Sequence, residues 1–139
     1  MVVALFDAIK TKFEATAALT TGITGGIFYQ EVAAGTATPY MVVSTLPSEL
    51  VDAYSNAISG DLKVQFAVFG EGARVVAVLM ESVLAAYDNT TLTLTGNTNI
   101  GMYRVDVPHQ MLQPAEGAYR NQNSKDVWGS YVTYCYSVQ

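Results

Sequence analysis

The spacing of apolar residues changes along this chain, and the order of the changes limits the folds that it can adopt. Apolar residues recur every three or four positions in segments 2–18 and 72–87, as in helices that bury one face. The segments between and after them are rich in β-branched and aromatic residues, which favour strands. This order predicts an α+β fold with a mostly antiparallel β-sheet, two α-helices packed on one face and a long C-terminal hairpin. We expect a single domain over residues 1–139, which is a common domain length.

The two predicted helices differ in how they begin and end. The first has an apolar stripe and gives way to a loop over 20–26, which contains three threonines and three glycines, because glycine and threonine favour other backbone states. The second follows Gly70 and Gly72 and ends near Tyr87. The predicted core-facing stripes are Val3, Phe6, Ile9, Phe13 and Ala17 in the first helix, and Val75, Val76, Leu79, Val83 and Ala86 in the second.

Strands are predicted at 27–32 and 40–46, with Pro39 at a strand start or edge because proline lacks the backbone donor. Segment 49–58 is consistent with either a hairpin arm or an irregular loop. Apolar residues at 62, 64, 66 and 68 alternate with polar ones, which predicts a strand buried on one face. A short strand is expected in TTLTLT.

The last part of the chain predicts a long hairpin. Segment 99–113 is expected to be one strand in which Tyr103, Val105 and Val107 face one way, with a bulge or an edge near Pro108. Segment 127–138 is aromatic and β-branched, whereas 114–126 is polar and contains glycine and proline. The polar segment should therefore form the tip between two strands.

Composition excludes several classes of function. Seven basic and twelve acidic residues give a formal charge of −5, which disfavours a surface that grips nucleic acid. Apolar runs are far shorter than a membrane span of ~20 residues, and the N-terminus lacks the features of a secretory signal. Charged residues make up 14% of the chain, against a usual value of about 25%. A surface with so few charges is consistent with cover by partners or with an ordinary Thr-rich exterior.

Catalytic and metal-binding patterns are lacking in the sequence. His109 is the only histidine and Cys135 the only cysteine, so a paired-histidine metal site and an internal disulfide are excluded. A Cys135 nucleophile with His109 as its base is conceivable on adjoining hairpin strands, but a packed structural thiol among Val132, Tyr134 and Tyr136 is favoured. The glycines of GITGGIF precede a strand, which is the reverse of a phosphate-binding loop. We expect no enzymatic activity, no cofactor and no metal.

Aromatic residues suggest a different kind of site. The chain has nine tyrosines and one tryptophan, several of them near its C-terminus, and such side chains are enriched at protein interfaces. The polar tip is also long enough to act as a binding element. The predicted interface residues are Tyr119, Arg120, Lys125, Asp126 and Trp128.

Four stretches together resemble one known family. They are ALTTGITGGIFYQEV, TPYMVV, DLKVQFAVFGEGARVVAVLMESVLAAYD and AYRNQNSKDVWGSYVTYCYSV. The third is the most characteristic, because an alternating strand turns through Gly-Glu-Gly into an Ala/Val-rich helix. The pattern is similar to that of the tail-completion or tail-terminator (head-to-tail joining) proteins of long-tailed bacteriophages. The Thr/Asn-rich turn TTLTLTGNTN and Cys135 depart from that pattern.

The resemblance implies a virion structural protein at the head–tail junction. Such a protein would form a homohexameric ring that caps the tail tube, ends its polymerisation and joins it to the head connector. Its partners would be further copies of itself, the tail-tube protein and a head-closure or connector protein. DNA would pass through the ring without specific binding, and assembly would take place in the host cytoplasm. The alternatives within structural proteins are another neck or connector adaptor and a tail-tube subunit. An alternative from a different class is a small ligand-binding or Cys-dependent enzymatic domain.

Overall fold

The computed structural model describes residues 2–33, 35–46, 62–94, 98–113 and 127–138. These residues form three helices and seven strands in an α+β arrangement. The helices are α1 (Val2–Ala15), α2 (Ala17–Gly22) and α3 (Ala73–Tyr87). The strands are β1 (Ile27–Tyr29), β2 (Tyr40–Leu46), β3 (Leu62–Gly70), β4 (Thr90–Leu94), β5 (Thr98–Arg104), β6 (His109–Gln113) and β7 (Val127–Val138).

All the described strands belong to one sheet in the order β1-β2-β3-β7-β5-β4, and β6 also pairs with β7. Every pairing is antiparallel except that of β1 with β2. The long strand β7 lies at the centre, since β3 pairs along one of its edges while β5 and β6 pair with different parts of it. The predicted mostly antiparallel sheet is confirmed.

The helices cover one face of this sheet. Their buried side chains form one core with inward-facing residues of the central strands, among them Val64, Phe66 and Val68 of β3. Tyr87 of α3 packs edge-on against Phe66 and donates a hydrogen bond of 2.7 Å to the backbone oxygen of Ile9 in α1. This bond links two helices that lie far apart in sequence, so α1 and α3 are held together over the same face.

The predicted first helix is in fact two. Thr16 leaves the helical conformation, with φ −105° and ψ 104°, and its hydroxyl donates to the backbone oxygen of Lys12 at 2.7 Å. A side chain that bonds to the preceding turn competes with the helical hydrogen bonds, which is consistent with the interruption at Thr16. The predicted loop over 20–26 is wrong for Thr20–Gly22, which belong to α2, but 23–26 do form a turn before β1.

The face that α1 turns to the core also differs from the prediction. Leu5, Ile9 and Phe13 are buried, whereas Val3 is 72% exposed. Residues four positions apart lie almost above one another on a helix, so the row 5, 9 and 13 makes one continuous buried stripe. Phe6 is half-buried and packs edge-on against Tyr29 of β1, 5.1 Å between ring centroids.

β3 and α3 occur where the sequence predicts them, with two differences. The apolar face of β3 is confirmed, but Ala67 and Phe69 on its other face are buried as well. They belong to a second, smaller cluster with Tyr40, Val42 and Val127. In α3 the predicted stripe holds except for Val75, which is 47% exposed.

The segment predicted as one strand from 99 to 113 forms two strands. β5 ends at Arg104 and β6 begins at His109, and both pair antiparallel with β7. Pro108 lies in the interruption, as expected of a residue that cannot donate to the ladder. The predicted strand 27–32 is also shorter, because β1 ends at Tyr29 before Gln30, whose φ is 65°. Segment 49–58 lies outside the described residues.

Candidate assembly surfaces

The residues that flank the predicted interface loop are paired in the sheet. Gln113 at the end of β6 lies opposite Val127 at the start of β7. Tyr119, Arg120, Lys125 and Asp126 lie outside the described residues. Trp128 lies on β7 opposite Gly70 and Leu112, and it is half-buried against the helix-side core. Most of its ring therefore serves the fold.

The geometry separates the candidate nucleophile from its base. β6 and β7 do pair, as predicted, but His109 lies opposite Tyr131, four residues before Cys135. At about 3.3 Å per residue this offset is roughly 13 Å along the strand. The His109 ring stacks on Tyr131 with centroids 5.3 Å apart. Cys135 is buried on the sheet face opposite to Val132, Tyr134 and Tyr136, not among them as the sequence suggests.

A polar cluster closes the C-terminal end of α3. The Tyr134 hydroxyl donates to Asp88 at 2.6 Å, and Arg104 lies 3.5 Å from the other Asp88 oxygen. Burial raises the pKa of Tyr134 far above its usual value, and the hydrogen bond to Asp88 adds to this rise. Burial also raises the pKa of Tyr87 and that of Tyr136. The contacts of Asp88 with Tyr134 and Arg104 join the end of α3 to β7 and β5. They therefore have a structural role within the fold.

The exposed part of α3 carries an apolar surface, here called the α3 patch and formed by Arg74, Val75 and Val78 beside Gly22. Val75 is 47% and Val78 is 52% exposed. Together with Leu79 these residues line a shallow depression of about 280 Å³. α2 and α3 approach closely here, because a Cβ on Gly22 would lie 2.6 Å from a Leu79 methyl group. Arg74 places one positive charge at the rim.

A second apolar surface, the connection patch, consists of Val105, Asp106 and Val107 between β5 and β6. Val105 is 44% and Val107 is 80% exposed. The connection is nevertheless fixed to β7, since the Val105 amide donates to the Thr133 oxygen at 3.0 Å and the Thr133 amide donates to the Asp106 carboxylate at 2.8 Å. The two valines are therefore presented outward by a hydrogen-bonded turn.

The sequence analysis did not identify either patch as exposed. It placed Val75 in the core-facing stripe and Val105 and Val107 on the face of a continuous strand. One signal was present: the first turns of α3, ARVVAVLM, are apolar around most of the helix, and a helix that is partly exposed cannot bury all of them. Among the described residues, the exposed large apolar side chains are Val3, Val75, Val78, Tyr103, Val105 and Val107.

In the parts of the chain that the structure describes, no three His, Cys, Asp or Glu residues come close enough to hold a metal ion. Within those same ranges, no helix has the length and apolar character needed to cross a membrane.

Comparison with known proteins gives a fold likeness. No protein-family profile and no curated protein sequence matches this chain. Among solved structures, a component of the virion of a native gene transfer agent particle superposes with a TM-score of 0.65 and 18% identity, covering 99% of this chain and 96% of the other. A second solved protein superposes with a TM-score of 0.53 and 17% identity, covering 96% of this chain and 94% of the other. The chain therefore shares its fold, over nearly its whole length, with a protein found in a virion particle.

Proposed function

We propose that this chain is a structural subunit of a phage-type virion. It acts at the head–tail junction, as a homohexameric ring that caps the tail tube, ends its polymerisation and joins it to the head connector. The observation that carries the proposal is the fold shared end to end with a gene transfer agent virion component. Because each chain covers nearly all of the other, the likeness extends over almost the whole of both chains and is not limited to one common motif.

Electrostatics are consistent with this role. A ring at the junction has to let DNA slide through its bore, and basic walls would bind phosphates and slow the passage. The chain has a formal charge of −5, and Arg104, one of its few cations, faces Asp88 within the fold. The protein would therefore surround DNA without binding it specifically.

The geometry disfavours the alternative of a Cys-dependent enzyme. General-base activation needs the two groups within hydrogen-bond reach, about 2.6–3.2 Å, or linked by one water. The strand offset between His109 and Cys135 is several times larger, and the His109 ring lies against Tyr131. A self-assembling subunit needs no such pair, so the structural role is the better account of this arrangement.

Deleting the gene from its parent particle tests the proposal. We expect filled heads and separate tails that do not join, with tail tubes of uncontrolled length, and restoration of joined particles when the wild-type gene is supplied in trans. Tails of normal length that fail to join would instead indicate a neck adaptor, and absence of tails would indicate a tube subunit. Normal infectious particles from the deletion would overturn the virion role altogether.

Self-association offers a second test on the purified protein. We expect monomers at low concentration and hexamers at high concentration, because ring contacts on a sparsely charged surface are weak until a template or mass action favours them. Light scattering coupled to gel filtration measures this, and negative-stain images at high concentration should show rings. A stable dimer at every concentration would contradict the ring.

A further inference from the structure

We propose that the α3 patch of one copy receives the connection patch of a second copy, so that Val107 seats in the depression beside Gly22 and Asp106 faces Arg74. This inference rests on the proposed ring and identifies the two surfaces that would form its repeating contact. A closed ring is built from head-to-tail contacts, which require two different and mutually complementary surfaces on every subunit.

Shape is the first argument for this pairing. The α3 patch is concave, with a depression of about 280 Å³ lined by Gly22, Val75, Val78 and Leu79. The connection patch offers Val107, which is 80% exposed, the highest value among the large apolar side chains of the described residues. One apolar knob and one apolar hole therefore occur on the same chain.

Charge is the second argument. Arg74 and Glu81 are the only charged residues of α3, and Arg74 lies at the rim of the depression. The connection patch has Asp106 between its two valines, and the carboxylate is held in place by the Thr133 amide. Two copies with a formal charge of −5 each repel one another at long range, so a contact that pairs a cation with a carboxylate around an apolar centre is favoured.

The relative position of the patches is the third argument. The Gln110 side chain donates to the Ala73 oxygen at 3.1 Å, which ties the start of β6 to the first turn of α3. Pro108 and Gln110 lie beside Ala77 and Glu81, whereas Val75 and Val78 belong to a different side of the helix. At 3.6 residues per turn the two sides are roughly 120° apart. One subunit can therefore use both patches at once, as a ring requires.

Cysteine cross-linking across the contact tests the pairing. Val78→Cys and Val107→Cys are prepared as separate proteins, mixed, and treated with a short bismaleimide at a concentration where the wild type self-associates. We expect a covalent dimer in the mixture and none in either protein alone, and a ladder of higher species from the chain that carries both substitutions. The matched control is Val3→Cys, a 72% exposed valine outside both patches, which should give no cross-link with either partner. Wild-type protein, with its buried Cys135, gives the background.

Charge substitutions at Arg74 complete the test. Arg74→Glu should lower the cross-linking yield several-fold, because it places two carboxylates opposite each other, whereas Arg74→Lys should retain most of it. Cross-linking of Val78→Cys to itself would overturn the pairing in favour of a symmetric α3–α3 contact. Lack of the mixed dimer in a protein that forms rings by electron microscopy would overturn the pairing and leave the ring intact. A protein that forms no oligomer under any condition would contradict both.

Discussion

The two faces of the sheet are built differently. On the helix-covered face, apolar side chains from β3 and β7 join those of α1, α2 and α3 in one large core. On the other face the apolar cluster lies at one end, around Tyr40 and Phe69. Further along that face β3 continues with Gln65 and Lys63, opposite the buried Thr133 and Cys135 of β7. The first face supplies most of the apolar burial that drives folding, and the second is only partly apolar.

Phe66 and Phe69 give a matched pair for this comparison, because they lie on one strand and point to opposite faces. Phe66→Ala should lower the free energy of unfolding by about 3 to 5 kcal/mol, since a cavity between sheet and helices cannot collapse easily. Phe69→Ala should cost at least about 1 kcal/mol less, because its cluster is smaller and its neighbours can move into the space. Chemical denaturation measures both. Equal losses of unfolding free energy would show that the two faces contribute equally to stability.

Leu79→Ala tests the helix layer of the same core. Leu79 is 9% exposed and lies at the border between the core and the depression of the α3 patch. We expect a loss of about 2 to 4 kcal/mol in urea denaturation, because a buried leucine is truncated next to Gly22. A change below about 0.5 kcal/mol is usual for surface substitutions, so it would contradict the packing of α3 on the sheet described above.

Alkaline pH should weaken the helix-covered face selectively. Tyr87, Tyr134 and Tyr136 belong to its core, and burial raises the pKa of each. A raised folded-state pKa gives stability that is complete below the unfolded value near 10 and is lost as the pH rises above it. Tyr87 and Tyr134, whose pKa values rise most, should each contribute a slope of up to about 1.4 kcal/mol per pH unit above pH ~10.

Tyr134→Phe isolates one of these contributions. It should reduce the alkaline slope of the unfolding free energy by up to one tyrosine's share, while costing about 1 to 2 kcal/mol at neutral pH through loss of the hydrogen bond to Asp88. Equilibrium denaturation at pH 7, 10 and 11 gives both quantities. An unchanged slope would mean that Tyr134 ionises equally in the folded and unfolded chain.

The smallest expected effect on stability comes from the predicted interface loop. Replacing Tyr119, Arg120 and Asp126 together by Ala or Ser should change the free energy of unfolding by less than about 0.5 kcal/mol, as for surface positions. In particle complementation, the same variant should give heads and tails that fail to join, or tails of uncontrolled length. Normal infectious particles would show that the loop is not part of the interface. A stability loss like that of Phe69→Ala would show that these side chains belong to a core.

The sequence predicted most elements because their periodicities are local. Alternation in β3 and the stripe of α3 follow from neighbours within one strand or helix, and both occur at the predicted positions. The break at Thr16 was missed because it depends on a side-chain bond to the preceding turn. The separation of β5 from β6 was missed because it depends on Thr133 of β7, which binds the connection from across the sheet. The site was less predictable still: strand register separates Cys135 from His109. Val75 was predicted in the core-facing stripe, and Val105 and Val107 were predicted on one face of a continuous strand.

The sequence by itself therefore determined the α+β class, the order of helices and strands and the large apolar face, because each is fixed by the pattern of side chains along a short stretch of backbone. Tertiary structure decided the pairing of β5 and β6 with β7, the second cluster around Phe69 and the exposure of Val75, Val78, Val105 and Val107. The physical reason is that burial belongs to a position in the packed molecule. A valine on an apolar helix is equally able to face the core or the solvent until the neighbouring elements have occupied the space around it.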